Sequence, residues 1–223
     1  MKKKDREIIG LLKERYPDAR CELDHETPFQ LLVATVLSAQ TTDVQVNKVT
    51  AELFRAHPDV TSWLDLGVPE IEEWIRSIGL FKTKARNLYR LVRELIDHHG
   101  GEVPDTMADL IRLPGVGRKT ANVVLANAFR VPTIAVDTHV FRLANRIGIT
   151  NEKDVVKTEE ALMKALDKDL WIDAHHLLIF HGRRTCTARN PKCQECTITE
   201  HCKYYRQITR EIKKRDRNRP ARQ

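Results

Sequence analysis

Apolar residues in this chain recur at spacings of three and four almost throughout, and the strict alternation of a half-buried strand is nearly absent. From Phe81 the positions Ala85, Leu88, Leu91, Val92, Leu95 and Ile96 mark one face of a long helix that stops at Gly100-Gly101. Thr27 followed by Pro28 reads as an N-cap with proline at the first helical position. It opens the apolar run Phe29 to Ala39, a helix buried nearly all round. Similar patterns cover residues 5–16, 44–56, 69–77, 106–112, 119–129, 138–147, 155–166 and 171–181. An all-α protein is expected, with about ten or eleven helices and short connections.

The chain's 223 residues suffice for one or two self-supporting domains. With 41% hydrophobic and 31% charged residues, 9 Gly and 9 Pro, the collagen-like and disordered classes are excluded. No stretch approaches the roughly 18 apolar residues of a membrane helix, and the apolar run after Met1-Lys-Lys-Lys is too short for a signal-peptide core. The expected location is cytoplasmic, with no membrane partner. The net charge of +7 is unevenly placed. From Lys203 to Gln223 there are nine Lys and Arg against Glu211 and Asp216; subtracting these from 38 and 31 leaves 29 of each sign. The excess sits in a basic C-terminal tail, expected to be partly flexible from Arg206 and to add non-specific affinity for polyanions, so any grip by the folded body has to come from local arrangement.

An internal echo supplies such an arrangement. Ile75-Arg-Ser-Ile-Gly-Leu-Phe-Lys-Thr-Lys-Ala85 aligns without gaps to Ile111-Arg-Leu-Pro-Gly-Val-Gly-Arg-Lys-Thr-Ala121, and both read as helix, glycine hairpin, helix. In the second copy Pro114 ends one helix, Gly115 and Gly117 permit positive φ and close backbone approach, and a new helix starts near Arg118. Unpaired N–H groups at that start, with the helix dipole, make an anion site. The segment resembles the helix-hairpin-helix motif, which implies a sequence-independent hold on DNA phosphates and often a monovalent cation on the hairpin carbonyls.

Lys119 falls in the first turn of the second helix, where the positive dipole end disfavours a protonated amine. It suits either a nucleophile or one more phosphate contact. Asp137 ends the apolar segment from Val131 and is a plausible N-cap for the next helix, a purely structural role. An Asp137 anion close by would oppose the dipole at Lys119. A chemical pairing therefore makes sense at a separation that leaves room for a sugar.

Of five cysteines, Cys21 stands alone as an ordinary small residue, while Cys186, Cys193, Cys196 and Cys202 fall within 17 residues. In a reducing compartment such a group reads as a metal site. Spacing alone leaves zinc and [4Fe–4S] both open, although zinc ribbons usually pair two short knuckles and only one C-x-x-C occurs here. Arg189 and Lys192 lie in the loop between the first two cysteines, where they are placed to meet phosphates. His175, His176 and His181 read as packing or surface residues, since four cysteines already complete the site.

Taken in order, Leu37-Ser-Ala-Gln-Thr-Thr-Asp43, Leu113-Pro-Gly-Val-Gly-Arg-Lys-Thr-Ala121, Val136-Asp-Thr-His139 and the terminal cysteines resemble the endonuclease III family. These are bifunctional DNA glycosylases and abasic-site lyases of the helix-hairpin-helix superfamily, and the resemblance covers Ile8 to about Tyr204. It implies a two-domain fold: a six-helix domain over 21–131, and an iron-sulfur domain from 1–20 and 132–223, with the DNA groove between them. It implies base excision repair of oxidised or ring-saturated pyrimidines in double-stranded DNA by a nucleoid-associated monomer. Lys119 would attack C1′, Asp137 would stabilise the charge developing on the sugar, and β-elimination would cut the strand 3′ to the lesion. The resemblance decides the metal for a [4Fe–4S] cluster on the four cysteines. It assigns the filling of the gap left by the extruded base to Gln40 and Leu80, although Leu80 by itself reads as a core leucine. Gly115, Val116, Gly117, Arg118, Thr120 and His139 complete the expected DNA contacts.

Two rivals make different expectations. An adenine-type mismatch glycosylase would share the fold and cluster but lack Lys119, and usually carries a further C-terminal domain. A non-catalytic helix-hairpin-helix module with structural zinc would form no covalent adduct with DNA.

Overall fold

The structure, a computed structural model, describes residues 1–217. Eleven α-helices and four short 3₁₀ turns make up its regular elements, and no strand occurs among the described residues. The chain divides into two compact units, Cys21–Ala135 and a discontinuous one formed by Met1–Arg20 with the chain from Val136 onward. The second junction lies four residues beyond the expected 131. The apolar run Ile134, Ala135 and Val136 is buried, and the Asn122 side chain, at 3.4 Å from the Ile134 carbonyl, holds that strand-like return to the first unit.

The continuous unit contains α2 (Pro28–Leu37), α3 (Asp43–Ala56), α4 (Val68–Trp74), α5 (Phe81–His99), α6 (Met107–Leu110) and α7 (Arg118–Ala128). Thr27 caps α2 by accepting from the Gln30 N–H at 3.2 Å, and every residue of α2 after Pro28 is buried. A helix apolar on all sides needs neighbours on all sides; α3, α5 and α7 supply them. Phe29 meets the buried Trp63 edge-on at 5.6 Å between ring centroids, a geometry that aligns ring edge and face charges. Helix α5 buries the expected face and ends at Gly100 and Gly101, both at positive φ. Helix α6 covers only four residues of the expected 106–112, because the chain turns towards the hairpin at once.

The discontinuous unit contains α1 (Lys3–Arg15), α8 (Thr138–Ile147), α9 (Val155–Ala165), α10 (Trp171–Arg184) and α11 (Lys203–Arg217). Helix α10 packs on both α1 and α8, and α8 on α9 and α11. Helices α8 and α10 come close at Gly182, where a Cβ would stand 3.0 Å from His139 Nδ1 and 3.2 Å from Arg142 Nη2. A side chain there would have to push both aside. The tail expected to be flexible from Arg206 is helical through Arg217, since its Lys, Arg, Glu and Gln are strong helix formers despite their charge. The rest of that tail, residues 218–223, lies outside the described residues. No described helix is long and apolar enough to cross a membrane.

Candidate functional site

The second hairpin runs from the end of α6 to Gly117. The Val116 N–H donates to the Leu113 carbonyl at 3.0 Å and the Ala121 N–H to the Gly117 carbonyl at 2.9 Å. Gly115 is left-handed, at φ +81°, and a Cβ there would lie 3.0 Å from Asn87 Cβ on α5. Gly117 departs from expectation. Its φ is −96° with ψ 175°, extended backbone open to any residue, and a Cβ would meet nothing within 4 Å. Its lack of a side chain therefore leaves open space in front of α7 rather than solving a turn. As the N-cap of α7 it offers no side-chain acceptor, in contrast to the capping Thr27, Thr42 and Thr106. The first-turn N–H groups have no partner from within the helix and the dipole adds positive potential.

Arg118 and Lys119 are exposed at the first and second positions of α7, with Thr120 half-buried behind them. Val116, expected among the DNA contacts, is 7% exposed and belongs to the unit's core, so only its backbone can face outward. Cys21 is half-buried, and burial pushes its thiol up. Lys119 and Asp43 both lie within electrostatic reach of it, a neighbourhood its isolated place in the sequence did not reveal.

The first hairpin is built differently. Leu80 is the N-cap of α5, left-handed at φ +60°, and 59% exposed, which overturns its reading as a core leucine. Gln40, just past α2, is also exposed and left-handed, at φ +58°. The backbone segments that carry them meet at Gly79, where a Cβ would lie 3.7 Å from the Gln40 carbonyl. Beneath them lies Lys84, which the sequence reading missed, buried to 5% exposure. Its Nζ donates to the carbonyls of Leu37 at 2.8 Å and Ala39 at 2.7 Å, and to Thr41 Oγ1 at 3.3 Å. Burial pulls its ammonium below the ordinary lysine range.

In the other unit Asp137 caps α8 as expected, Oδ1 accepting from the Val140 N–H at 2.8 Å, and it remains half-buried. His139, half-buried two residues on, has Nδ1 3.2 Å from Arg142 Nη2. Burial, helped by Arg142 and Arg183, holds it below the usual histidine range against the pull of Asp137.

The four clustered cysteines line one small cavity together with Ile147 and His181. They do not close on a single-ion position: among the described residues no three Cys, His, Asp or Glu side chains do. Burial, with the other thiols adding to it, pushes Cys193 up and Cys196 up to about 11. Thiols in that setting ionise only when a cationic group replaces their protons. Donor type and number, four thiols lining one cavity, thus fit a polynuclear iron-sulfur group.

Two arginines of α8 hold the cysteine loop. Arg142 Nη2 donates to the carbonyls of Gly182 at 3.0 Å and Cys186 at 3.1 Å. Arg146 donates to those of Thr187 at 2.8 Å and Ala188 at 2.9 Å, and lies 3.7 Å from Cys186 Sγ. His181 is neither surface nor simple packing: its Nε2 lies 3.7 Å from Cys196 Sγ, its Nδ1 3.0 Å from Tyr16 Oη, and burial pulls it down to about 4. Arg189 and Lys192 are exposed on the loop so anchored.

Two family models match the chain, the first running across the junction at residue 135. Residues 33–168 match the HhH-GPD superfamily of base excision DNA repair proteins, and residues 186–202 match the iron-sulfur binding domain of endonuclease III. The chain is 48% identical to endonuclease III of Haemophilus influenzae over 91% of its own length and 96% of the relative's. It is 47% identical to endonuclease III of Escherichia coli K12 over 93% and 98%. Among solved structures, a trapped endonuclease III–DNA covalent intermediate superposes with a TM-score of 0.87 at 45% identity, covering 94% of this chain and all of that one. A thermostable thymine-DNA glycosylase superposes at 0.82 with 26% identity, covering 92% and 98%.

Proposed function

The chain belongs to the endonuclease III family, and from that premise we propose which of its residues carry the family's two-step chemistry. It is a DNA glycosylase and abasic-site lyase of base excision repair, acting on oxidised or ring-saturated pyrimidines in double-stranded DNA, and it carries a [4Fe–4S] cluster. Lys119 is the nucleophile. As the free amine it attacks C1′, the glycosidic C–N bond breaks, and its electron pair leaves with the base, which takes up a proton. Loss of an amine proton and opening of the sugar ring give the protonated Schiff base. Removal of a C2′ proton then expels the 3′ phosphate and cuts the strand. Asp137 supplies the negative charge that stabilises the cationic sugar; its cap bond to Val140 fixes one oxygen and with it the carboxylate's orientation.

The first turn of α7, with the backbone of Gly115, Val116 and Gly117 and the side chains of Arg118 and Thr120, takes DNA phosphates. Arg189 and Lys192 add phosphate contacts from the cysteine loop, and a monovalent cation on the hairpin carbonyls belongs to the same reading. Gln40 and Leu80 fill the gap left by the extruded nucleotide, and His139 lines the approach. Cys186, Cys193, Cys196 and Cys202 hold the cluster, which shapes that loop. The protein works as a monomer on the chromosome.

The observation that carries this reading is the exposed Lys119 at the second position of a helix whose start has no side-chain cap. Borohydride trapping on duplex DNA with thymine glycol or an abasic site tests it. Lys119→Ala should abolish the covalent adduct; cleavage of abasic DNA equal to wild type would refute the assignment. Asp137→Asn keeps a competent N-cap, so melting should stay within about 1 kcal/mol while base release falls by about 10² or more. Equal losses of stability and activity would return Asp137 to a purely structural role.

A further inference from the structure

Four residues other than glycine adopt positive φ among those described, and two of them, Gln40 and Leu80, are exposed on segments that meet at Gly79. A left-handed non-glycine backbone costs about 1–2 kcal/mol, and neither exposed side chain returns that cost through burial. The surroundings have to hold both residues in place.

Lys84 touches the backbone of both segments. Its own N–H donates to the Leu80 carbonyl at 3.0 Å. Its ammonium bonds the residues on either side of Gln40, the Ala39 carbonyl and the Thr41 hydroxyl, and also the Leu37 carbonyl at the end of α2. The three ammonium hydrogens meet three acceptors. The negative end of the α2 dipole favours a cation there, and none of these three acceptors is a carboxylate. A second tie joins the same parts, Gln45 Nε2 of α3 donating to Ser77 Oγ before the hairpin at 2.9 Å.

We propose that Lys84 is a positioning residue for base extrusion, a buried ammonium that locks Gln40 and Leu80 into one register so that they enter the DNA stack together. It touches no nucleotide. A hydrophobic side chain of similar length would fill the space without the cost of burying a charge; what it would lose is the bond to the chain on both sides of Gln40. The proposal rests on the reading of Gln40 and Leu80 as the gap-filling pair.

The test places 2-aminopurine opposite a thymine glycol, so that fluorescence rises when the pair opens, and compares single-turnover base release from that duplex with lyase cleavage of single-stranded abasic DNA, which needs no gap filled. Lys84→Met should lose most of the fluorescence rise, and its rate on duplex should fall about tenfold more than its rate on single strands. Thr41→Val, which removes one acceptor at the surface, should shift both readouts the same way by about threefold. A fluorescence rise and duplex rate equal to wild type in Lys84→Met overturn the proposal, as does an equal loss on both substrates, which would mark a merely structural lysine. If Lys84→Met does not fold, a folded Thr41→Val with wild-type behaviour overturns it. Gln40→Ala and Leu80→Ala run beside them: a wild-type fluorescence rise in that pair refutes the gap-filling reading itself, whereas a lost rise there with a normal Lys84→Met refutes only the role of Lys84.

Discussion

The two hairpins share a sequence pattern and solve opposite problems. Their glycines align, Gly79 with Gly115, yet the left-handed residue is Gly115 in the second copy and Leu80, one position further on, in the first. Helix α5 also starts one aligned residue earlier than α7, at Phe81 against the position of Gly117. The second hairpin confines its unusual dihedral to a glycine, buries Val116 and leaves α7 without a side-chain cap. The first puts the same kind of dihedral on a leucine and turns it to solvent. One exposes backbone and the other exposes a side chain, as the gripping of phosphates and filling of a stack proposed for them respectively require.

Three substitutions test how far this contrast holds. The largest effect is expected from Gly115→Ala, which meets both the left-handed penalty and the 3.0 Å approach to Asn87 Cβ. Chemical denaturation should show a loss of about 2–3 kcal/mol; a loss below that range would mean the hairpin relaxes and the contrast is one of degree. Next comes Gly117→Ala. With extended backbone and open space around its Cβ it should cost less than about 1 kcal/mol of stability, while duplex affinity drops about tenfold because a methyl stands in front of the α7 amides. Unchanged affinity in a binding titration would remove phosphate from that helix start. The smallest is Leu80→Gly. Relief of the left-handed strain should leave stability unchanged or raise it by up to about 1 kcal/mol, with slower excision from duplex. A marked fall in melting temperature would show Leu80 to be packed after all.

What the sequence revealed depended on how local the cause was. The caps Thr27 and Asp137, the α5 stop at Gly100-Gly101 and the second hairpin follow from residues within a turn of each other, and all were legible. Lys84 was not, because lysine reads as surface and its acceptors lie more than 40 residues away. Arg142 and Arg146 look like ordinary helix charges until the carbonyls of the cysteine loop come to them across a similar separation. Leu80 misled through its hydrophobicity, since nothing in the residue type announces a left-handed backbone. The helix α11 went unread because its charge masked the helix propensity of its Lys, Arg, Glu and Gln.

The discontinuous unit has a consequence for biosynthesis. The hairpin unit is one uninterrupted stretch and has all its parts once residue 135 has left the ribosome. Helix α1, made first, finds its partner α10 only after Trp171 to Arg184 have followed, and the Tyr16 hydroxyl waits for Thr185, 169 residues later, to complete its 2.7 Å bond. At about 5–20 residues per second, Ile8, Ile9 and Leu12 spend many seconds without the surface that buries them in the finished protein. A nascent-chain pulse should find α1 protease-sensitive until α10 emerges, long after the hairpin unit has become resistant.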